Sequence, residues 1–371
     1  MGTDINSARE TMRSIIGRIA TGPELSKSIS LEEARIGMHA VINEQVDPVQ
    51  AAIFLIALRM KRETDDEFRG VLDAVLESTV TVTADVDQLI DIADPYDGYN
   101  RTLPASPLLA PVLAALGVPA FSQGVEIMGP KFGITHRQVL RELGVPVDHT
   151  PQQAADRISN PAIGWAYLDQ SQFNPRVHQL RDLRTLIVKR PVLTTVEVLA
   201  SPIRGRIKTH FVTGYVHKPY PRIYALLAKH VGFDSALFVR GVEGGVVPSL
   251  RQTGKFVYYR DKGEEQSMQI EPAELGIQQT VRSAALPEEL SKRGEGGDIV
   301  TSKVDAPAAA KVAAKMGRDA LQGEPGPIRD GLIYTAAMCL WHVGKFNTPA
   351  AAASAVGEIL DSGKVMERIT T

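Results

Sequence analysis

Apolar residues recur at three- and four-residue spacing from position 31 onward. Ala34, Met38, Val41 and Ile42 therefore predict a helix with one packed face. Ser30 with Glu33 is a capping-box pattern at its start. Asp47 then caps a second helix whose first position is Pro48, where a missing backbone donor costs nothing. Ala51, Ala52, Phe54, Leu55, Ala57 and Leu58 make this second helix apolar nearly all round, which predicts burial in a bundle. It ends at Arg59 in a charged corner, residues 59–64, and is too short to span a bilayer.

The same reading assigns helices to residues 5–20 and 31–80, and extended chain to 79–83 and 89–93. A turn-rich stretch follows at 94–100, then a helix at 107–116, a short strand at 118–121 and a helix starting near Thr135. Farther on, 185–188, 209–214 and 236–240 are short β-rich runs separated by helical segments such as 220–230. That alternation predicts parallel strands with crossover helices. Residues 252–304 read as polar and irregular, with a glycine-rich loop at 293–298. Helices at 307–321, 328–343 and 349–362 end the chain.

A chain of 371 residues, 44% apolar, is long enough for two cores. The expected division is a helical domain over 1–83, with parts of 150–185 packing on it, and an α/β domain over 84–371. The single Cys339 lies in an apolar run and is expected to be a buried small hydrophobe; it excludes an intrachain disulfide framework and fits a reducing compartment. The first residues lack the apolar core of a signal peptide, so a cytoplasmic, soluble protein without membrane contact is expected.

Net charge is −2, but unevenly spread. Between Arg176 and Lys262 sixteen Lys and Arg face five acids, and the remainder is correspondingly acidic. Such a block is a candidate footprint for phosphate-bearing partners. Lys189, Arg190, Arg204, Arg206 and Lys208 are its densest group, and form either the rim of a basic cleft or ordinary surface pairs. Residues 124–133, with Gly124, Gly129, Lys131 and Gly133, precede Thr135 and His136 at a helix start. There, free backbone donors and the positive helix end suit a phosphate, or else form a plain glycine-rich turn with a Thr cap. His178, His210 and His217 have no carboxylate at metal-ligand spacing and are expected to be satisfied polar residues at strand ends. Tyr258 and Tyr259 beside Arg251, Lys255 and Arg260 either stack on bases or form a β-hairpin face, the commoner arrangement.

The helices of residues 31–70, the Leu140–Val145 run LRELGV, and the C-terminal Gly323–Asp330 run GEPGPIRD followed by residues 336–344 and 361–364 together resemble the anthranilate phosphoribosyltransferase family. The resemblance covers nearly the whole chain. It implies an α/β class fold: a small helical domain plus a larger domain with a mixed, largely parallel sheet flanked by helices, as in the class II nucleoside phosphorylases and phosphoribosyltransferases. It also implies a homodimer paired through the N-terminal helices.

Active members hold phosphoribosyl pyrophosphate on a Gly-Thr-Gly-Gly-Asp loop. Here the corresponding residues 91–98 contain Asp94, Pro95, Asp97 and Gly98, with one glycine and extra acid. The family's Lys-His-Gly segment is replaced by Ser122, Gln123 and Gly124, and its magnesium-holding Asp-Glu pair by a lone Glu243, a weak metal candidate. Arg184 and Arg190 fall where the family's acceptor-contacting arginines would lie. The resemblance is thus to a diverged paralogue group lacking the donor loop. Such a chain would not be a competent anthranilate phosphoribosyltransferase and would bind nucleic acid or a phosphorylated ligand in a basic interdomain cleft, with no cofactor required. The alternative is an active glycosyl- or phosphoribosyltransferase that uses phosphoribosyl pyrophosphate, with Mg²⁺ and an altered acceptor. No residue is assigned a catalytic role.

Overall fold

The structure, a computed structural model, describes residues 5–22, 24–291 and 304–370. Four helices open the chain: α1 (Ile5–Ile19), α2 (Leu31–Ile42), α3 (Pro48–Lys61) and α4 (Asp65–Glu77). The Ser30–Glu33 capping box and the Asp47 cap are both formed. A third cap closes the charged corner, where Thr64 caps α4 in a box with Glu67. Glu67 is fully buried because its carboxylate also takes the Lys61 ammonium at 2.7 Å and the Ile29 N–H at 2.9 Å. One side chain thereby fixes the ends of three segments.

The expectation that α3 is buried all round is corrected by its outer stripe. Phe54, Leu55 and Leu58 are buried, but Val49, Ile53 and Met60, spaced by four and seven, are 65, 36 and 73% exposed.

Among the described residues nine strands follow: β1 (Val82–Thr83), β2 (Gln88–Ala93), β3 (Ala120–Gly124), β4 (Trp165–Asp169), β5 (Ile203–Arg204), β6 (Lys208–Tyr215), β7 (Ser235–Arg240), β8 (Gly254–Tyr259) and β9 (Gln266–Ile270). β1 and β5 form a short parallel pair; the other seven make one sheet in the order β4-β3-β2-β6-β7-β8-β9. The first five of these are mutually parallel, and β8 and β9 add an antiparallel hairpin.

Side chains alternate across the sheet. Ile90, Ile92, Val212, Leu237 and Val239 join one core with the C-terminal helices Ala306–Leu321, Pro327–His342 and Pro349–Asp361. Leu89, Ala93, Phe121, Phe211 and Phe238 join a second core shared with α1–α4 and the helix Tyr220–Val231. Because both faces are covered, the parallel strands read as continuous apolar runs. Cys339 is buried in the first core, where burial pushes its thiol up to about 12.

Two expectations fail here. Of the β-rich run at 185–188, residues 185–187 belong to the helix Arg181–Ile187 and Val188 is its left-handed C-cap, because Leu183 and Ile187, four apart, pack against the core shared with α1–α4. Residues 252–304 are not irregular throughout, since alternating burial in β8 seats Phe256 and Tyr258 on the first core. The loop expected at 293–298 lies outside the described residues.

Candidate ligand cleft

A cleft of about 1010 Å³ opens at the carboxyl ends of β2, β6 and β7, roofed by Arg59 from the end of α3 and by residues 190–198. Ligands of open α/β sheets bind at such strand ends, where loops converge and backbone groups are free of the ladder. Its floor begins with residues 94–97, which follow β2 directly.

Asp94 is buried and turned inward. Its Oδ2 accepts from Tyr99 Oη at 2.6 Å and from the Ser106 hydroxyl, and lies 2.8 Å from His136 Nε2; its Oδ1 accepts the Val246 N–H at 2.9 Å. Burial alone would raise this carboxyl, but His136 and the two hydroxyls outweigh it and hold its pKa below the ordinary value. An ionised carboxylate only accepts, so His136 Nε2 carries the proton. The surrounding backbone is equally closed. A Cβ on Gly245 would stand 1.7 Å from Tyr99 Oη, and one on Gly98, at φ +73°, would stand 2.5 Å from the Ile134 carbonyl. Only glycine permits these approaches. The turn that follows β2 is thus filled by the protein's own carboxylate.

The next layer is also satisfied internally. Asp97 Oδ2 accepts from Arg190 Nε at 3.0 Å and Nη2 at 2.5 Å, and its Oδ1 lies 3.7 Å from Lys131 Nζ. Lys131 donates to the carbonyls of Gly98 and Glu243 at 2.9 and 3.1 Å. Glu243, at the left-handed φ of 55°, accepts the N–H groups of Asn100 and Arg101 and the Thr102 hydroxyl. Its carboxylate acts as a staple between the β2 and β7 turns.

Beyond this layer the cleft is cationic. Arg101, Arg240, Lys255 and Arg282 line it, are exposed, and have no carboxylate partner among the described residues. Arg240 stands beside Tyr215 in the β6–β7 register. The antiparallel β7–β8 pairing ends with Val239 opposite Phe256, and Arg240 and Lys255 lie one residue beyond that last pair.

The sequence-predicted site residues divide sharply. Lys131, Arg190, Asp94, Asp97 and Glu243 line the cleft. Thr135 caps the helix His136–Glu142, with Gln138 completing the box, and His136 is engaged by Asp94. Gly133 is pressed on the Tyr99 backbone, and Gly124 and Gly129 do not reach the cleft. The helix start expected to receive phosphate is thus occupied by its own partners. Arg184 is buried in a two-point pair with Glu197 at 2.7 Å and faces no ligand space.

The expected basic cleft of Lys189, Arg190, Arg204, Arg206 and Lys208 is also corrected. Lys208 begins β6, whereas the cleft lies at its far end. Lys208 pairs with Asp261, Arg206 with Asp85 and Asp87, and Arg204 donates to the Val231 carbonyl; Lys189 is exposed but outside the cleft. Closeness in sequence put one end of a strand in the same group as the other. The cations that do line the cleft are dispersed over 59–282 and had no local signature, although Arg59 marked the corner ending α3. Of the histidines, His210 meets Ser235 at 2.6 Å and is pushed down to about 4 by burial, while His217 is exposed in the cleft. Tyr258 and Tyr259 are buried, as a hairpin face requires.

Residues 13–79 match the helical-bundle domain of the glycosyl transferase family, and residues 97–290 match its a/b domain. The chain belongs to the glycosyl transferase family. Curated relatives of this family chain include the anthranilate phosphoribosyltransferase of Nitrobacter hamburgensis, 25% identical over 97% of each chain. That of Rhodococcus jostii is 27% identical over 89% of this chain and 82% of its own. Among solved structures, anthranilate phosphoribosyltransferase from Thermus thermophilus superposes with a TM-score of 0.73 at 20% identity, covering 97% of each chain. The Saccharomyces cerevisiae enzyme in complex with PRPP and Mg does so with 0.73 at 15% identity, covering 99% of this chain and 97% of that one. The shared fold is therefore that of the helical-bundle transferases. No helix among the described residues of the family chain is long and apolar enough to cross a membrane.

Magnesium fits poorly against the residues present. Asp94 is enclosed by donors, Asp97 is shared by Arg190 and Lys131, and both Glu243 oxygens hold backbone N–H groups. Among the described residues no group of three His, Cys, Asp or Glu is placed to hold a metal ion. Mg²⁺ needs near-octahedral oxygen ligation, which these engaged carboxylates do not offer.

Proposed function

We propose that this chain binds nucleic acid or another polyphosphorylated ligand in its interdomain cleft and is not a competent anthranilate phosphoribosyltransferase. The observation that carries this reading is the set of four exposed cations, Arg101, Arg240, Lys255 and Arg282, without a carboxylate partner among the described residues, around a cleft whose carboxylates are internally neutralised. A field of unpaired cations attracts phosphate by counterion release. The self-filled Asp94 turn removes the cradle for a sugar-diphosphate donor. A second reading, a transferase with an altered acceptor, draws on the fold and on the PRPP and Mg complex of the yeast neighbour. One titration separates them: single-stranded DNA, RNA and phosphoribosyl pyrophosphate, each with and without Mg²⁺, at two salt concentrations. Our reading expects metal-independent, salt-sensitive oligonucleotide binding and no donor turnover. Turnover of phosphoribosyl pyrophosphate without oligonucleotide binding would reject it.

The same reading includes a homodimer. The outward stripe of Val49, Ile53 and Met60 on α3 supports pairing through the helical domain, and light scattering of the purified chain measures it. The lone buried cysteine suits the cytoplasm.

A further inference from the structure

Beside the cationic row the cleft has a wall of different chemistry. The segment leaving β6 runs exposed through residues 216–219 and turns into the helix Tyr220–Val231. Tyr220 is half-buried and lines the cleft, its ring 6.4 Å from that of His217 and 5.8 Å from that of buried Tyr224. The Arg59 guanidinium stands 6.0 Å from the Tyr220 ring centroid, reaching across from the helical domain. An aromatic ring backed by a second ring and overlain at 6.0 Å by a guanidinium offers a base planar partners of both kinds. Tyr215, at the end of β6 and in register with Arg240, lines the cleft with it, as does Lys255. Flat aromatic surface and exposed cations therefore line the same cleft.

This juxtaposition selects between two kinds of polyanion. An inorganic polyphosphate or a closed duplex presents phosphates alone to such a cleft. A single strand presents phosphates and unstacked bases together, and base–aromatic stacking adds affinity without sequence preference. We infer that Tyr220, flanked by Arg59 and His217, is a base-stacking platform, and that the ligand class of the cleft is single-stranded nucleic acid, its phosphates on Arg240 and Lys255. This inference rests on the polyanion reading above and adds to it the requirement for a base.

The test uses the full chain and three probes at low salt: oligothymidylate, an abasic oligonucleotide of the same length, and inorganic polyphosphate. The unaltered protein is expected to bind oligothymidylate roughly tenfold more tightly than the abasic strand, the size of one stacked base. Tyr220→Ala is expected to collapse that ratio to near one, and Tyr220→Phe to keep it. Arg240→Gln is expected to weaken both strands alike and leave the ratio standing. Equal binding of the base-bearing and abasic strands by the unaltered protein overturns the platform while leaving the polyanion reading intact. So does a ratio that survives Tyr220→Ala. Failure of all three probes to bind overturns both. Thermal unfolding of Tyr220→Phe and Tyr220→Ala checks that a lost ratio is not a lost fold.

Discussion

Replacing Asp94 with alanine removes the acceptor shared by Tyr99, Ser106, His136 and the Val246 N–H. Hydrogen bonds to a charged group contribute about 1.5–3 kcal/mol each. Four such bonds would add up to most of a typical domain's stability of about 5–15 kcal/mol, so simple addition overshoots. Each buried donor left without its acceptor costs about 1–3 kcal/mol before relaxation, and we expect a loss of about 4 kcal/mol for Asp94→Ala once the site has partly relaxed. Asp94→Asn keeps the shape and one acceptor and should lose roughly half as much. The assay is urea unfolding at pH 7, with the m-value checked for constancy.

The sign of the pH dependence follows from the depressed pKa. The stabilisation is fully present above the unfolded value of about 3.9 and is lost as pH falls through the lower folded value. The gap between the protein and Asp94→Asn should therefore narrow in acid. A loss below about 1 kcal/mol for Asp94→Ala, or a double-mutant cycle with His136→Ala showing no coupling, would refute the claim that this carboxylate ties the turn together.

Two further outcomes follow from buried charge elsewhere. Asp91 is buried with Gln123 as its hydrogen-bond partner, and burial pushes its carboxyl up to about 8. Its protonated form favours folding fully below about pH 3.9, an advantage lost as the pH rises to about 8. Asp91→Asn should therefore gain on the original by a few kcal/mol between pH 5 and 8 in chemical denaturation, at about 1.36 kcal/mol per unit; parallel pH profiles would contradict this. Arg184→Met strands the buried Glu197 carboxylate and should cost about 3–5 kcal/mol, whereas the double change with Glu197→Leu should recover most of it; an unchanged midpoint for the single variant would argue against a buried pair.

Much of the fold was legible because burial imprints a period. Ser30, Glu33, Asp47 and Pro48 marked helix starts by local hydrogen-bonding chemistry that needs no tertiary partner. The run 209–214 fell within β6 and 236–240 within β7 for the same reason. Residues 185–188 misled because a β-branched run is short, and packing of Leu183 and Ile187 against the helical-domain core decided its conformation. The site was less legible. Asp94 was read as a departure in the donor turn and His136 as part of a phosphate-binding helix start, and only the fold shows that they are partners across 42 residues. Charge density drew attention to Arg206 and Lys208, which answer acids near the amino end of β6, and to Arg204, which donates to the Val231 carbonyl. Arg101, Arg240, Lys255 and Arg282 come from four segments that only the strand order brings to one cleft.

The central claim, that these four cations receive phosphates, is tested most directly by the salt dependence of single-strand binding. With about four contacts the slope of log K against log salt should be near −3. Arg101→Gln, Arg240→Gln, Lys255→Gln and Arg282→Gln combined should bring that slope close to zero, while Arg206→Gln at the far end of β6 leaves it unchanged. A combined variant that keeps the full slope and affinity would contradict the account.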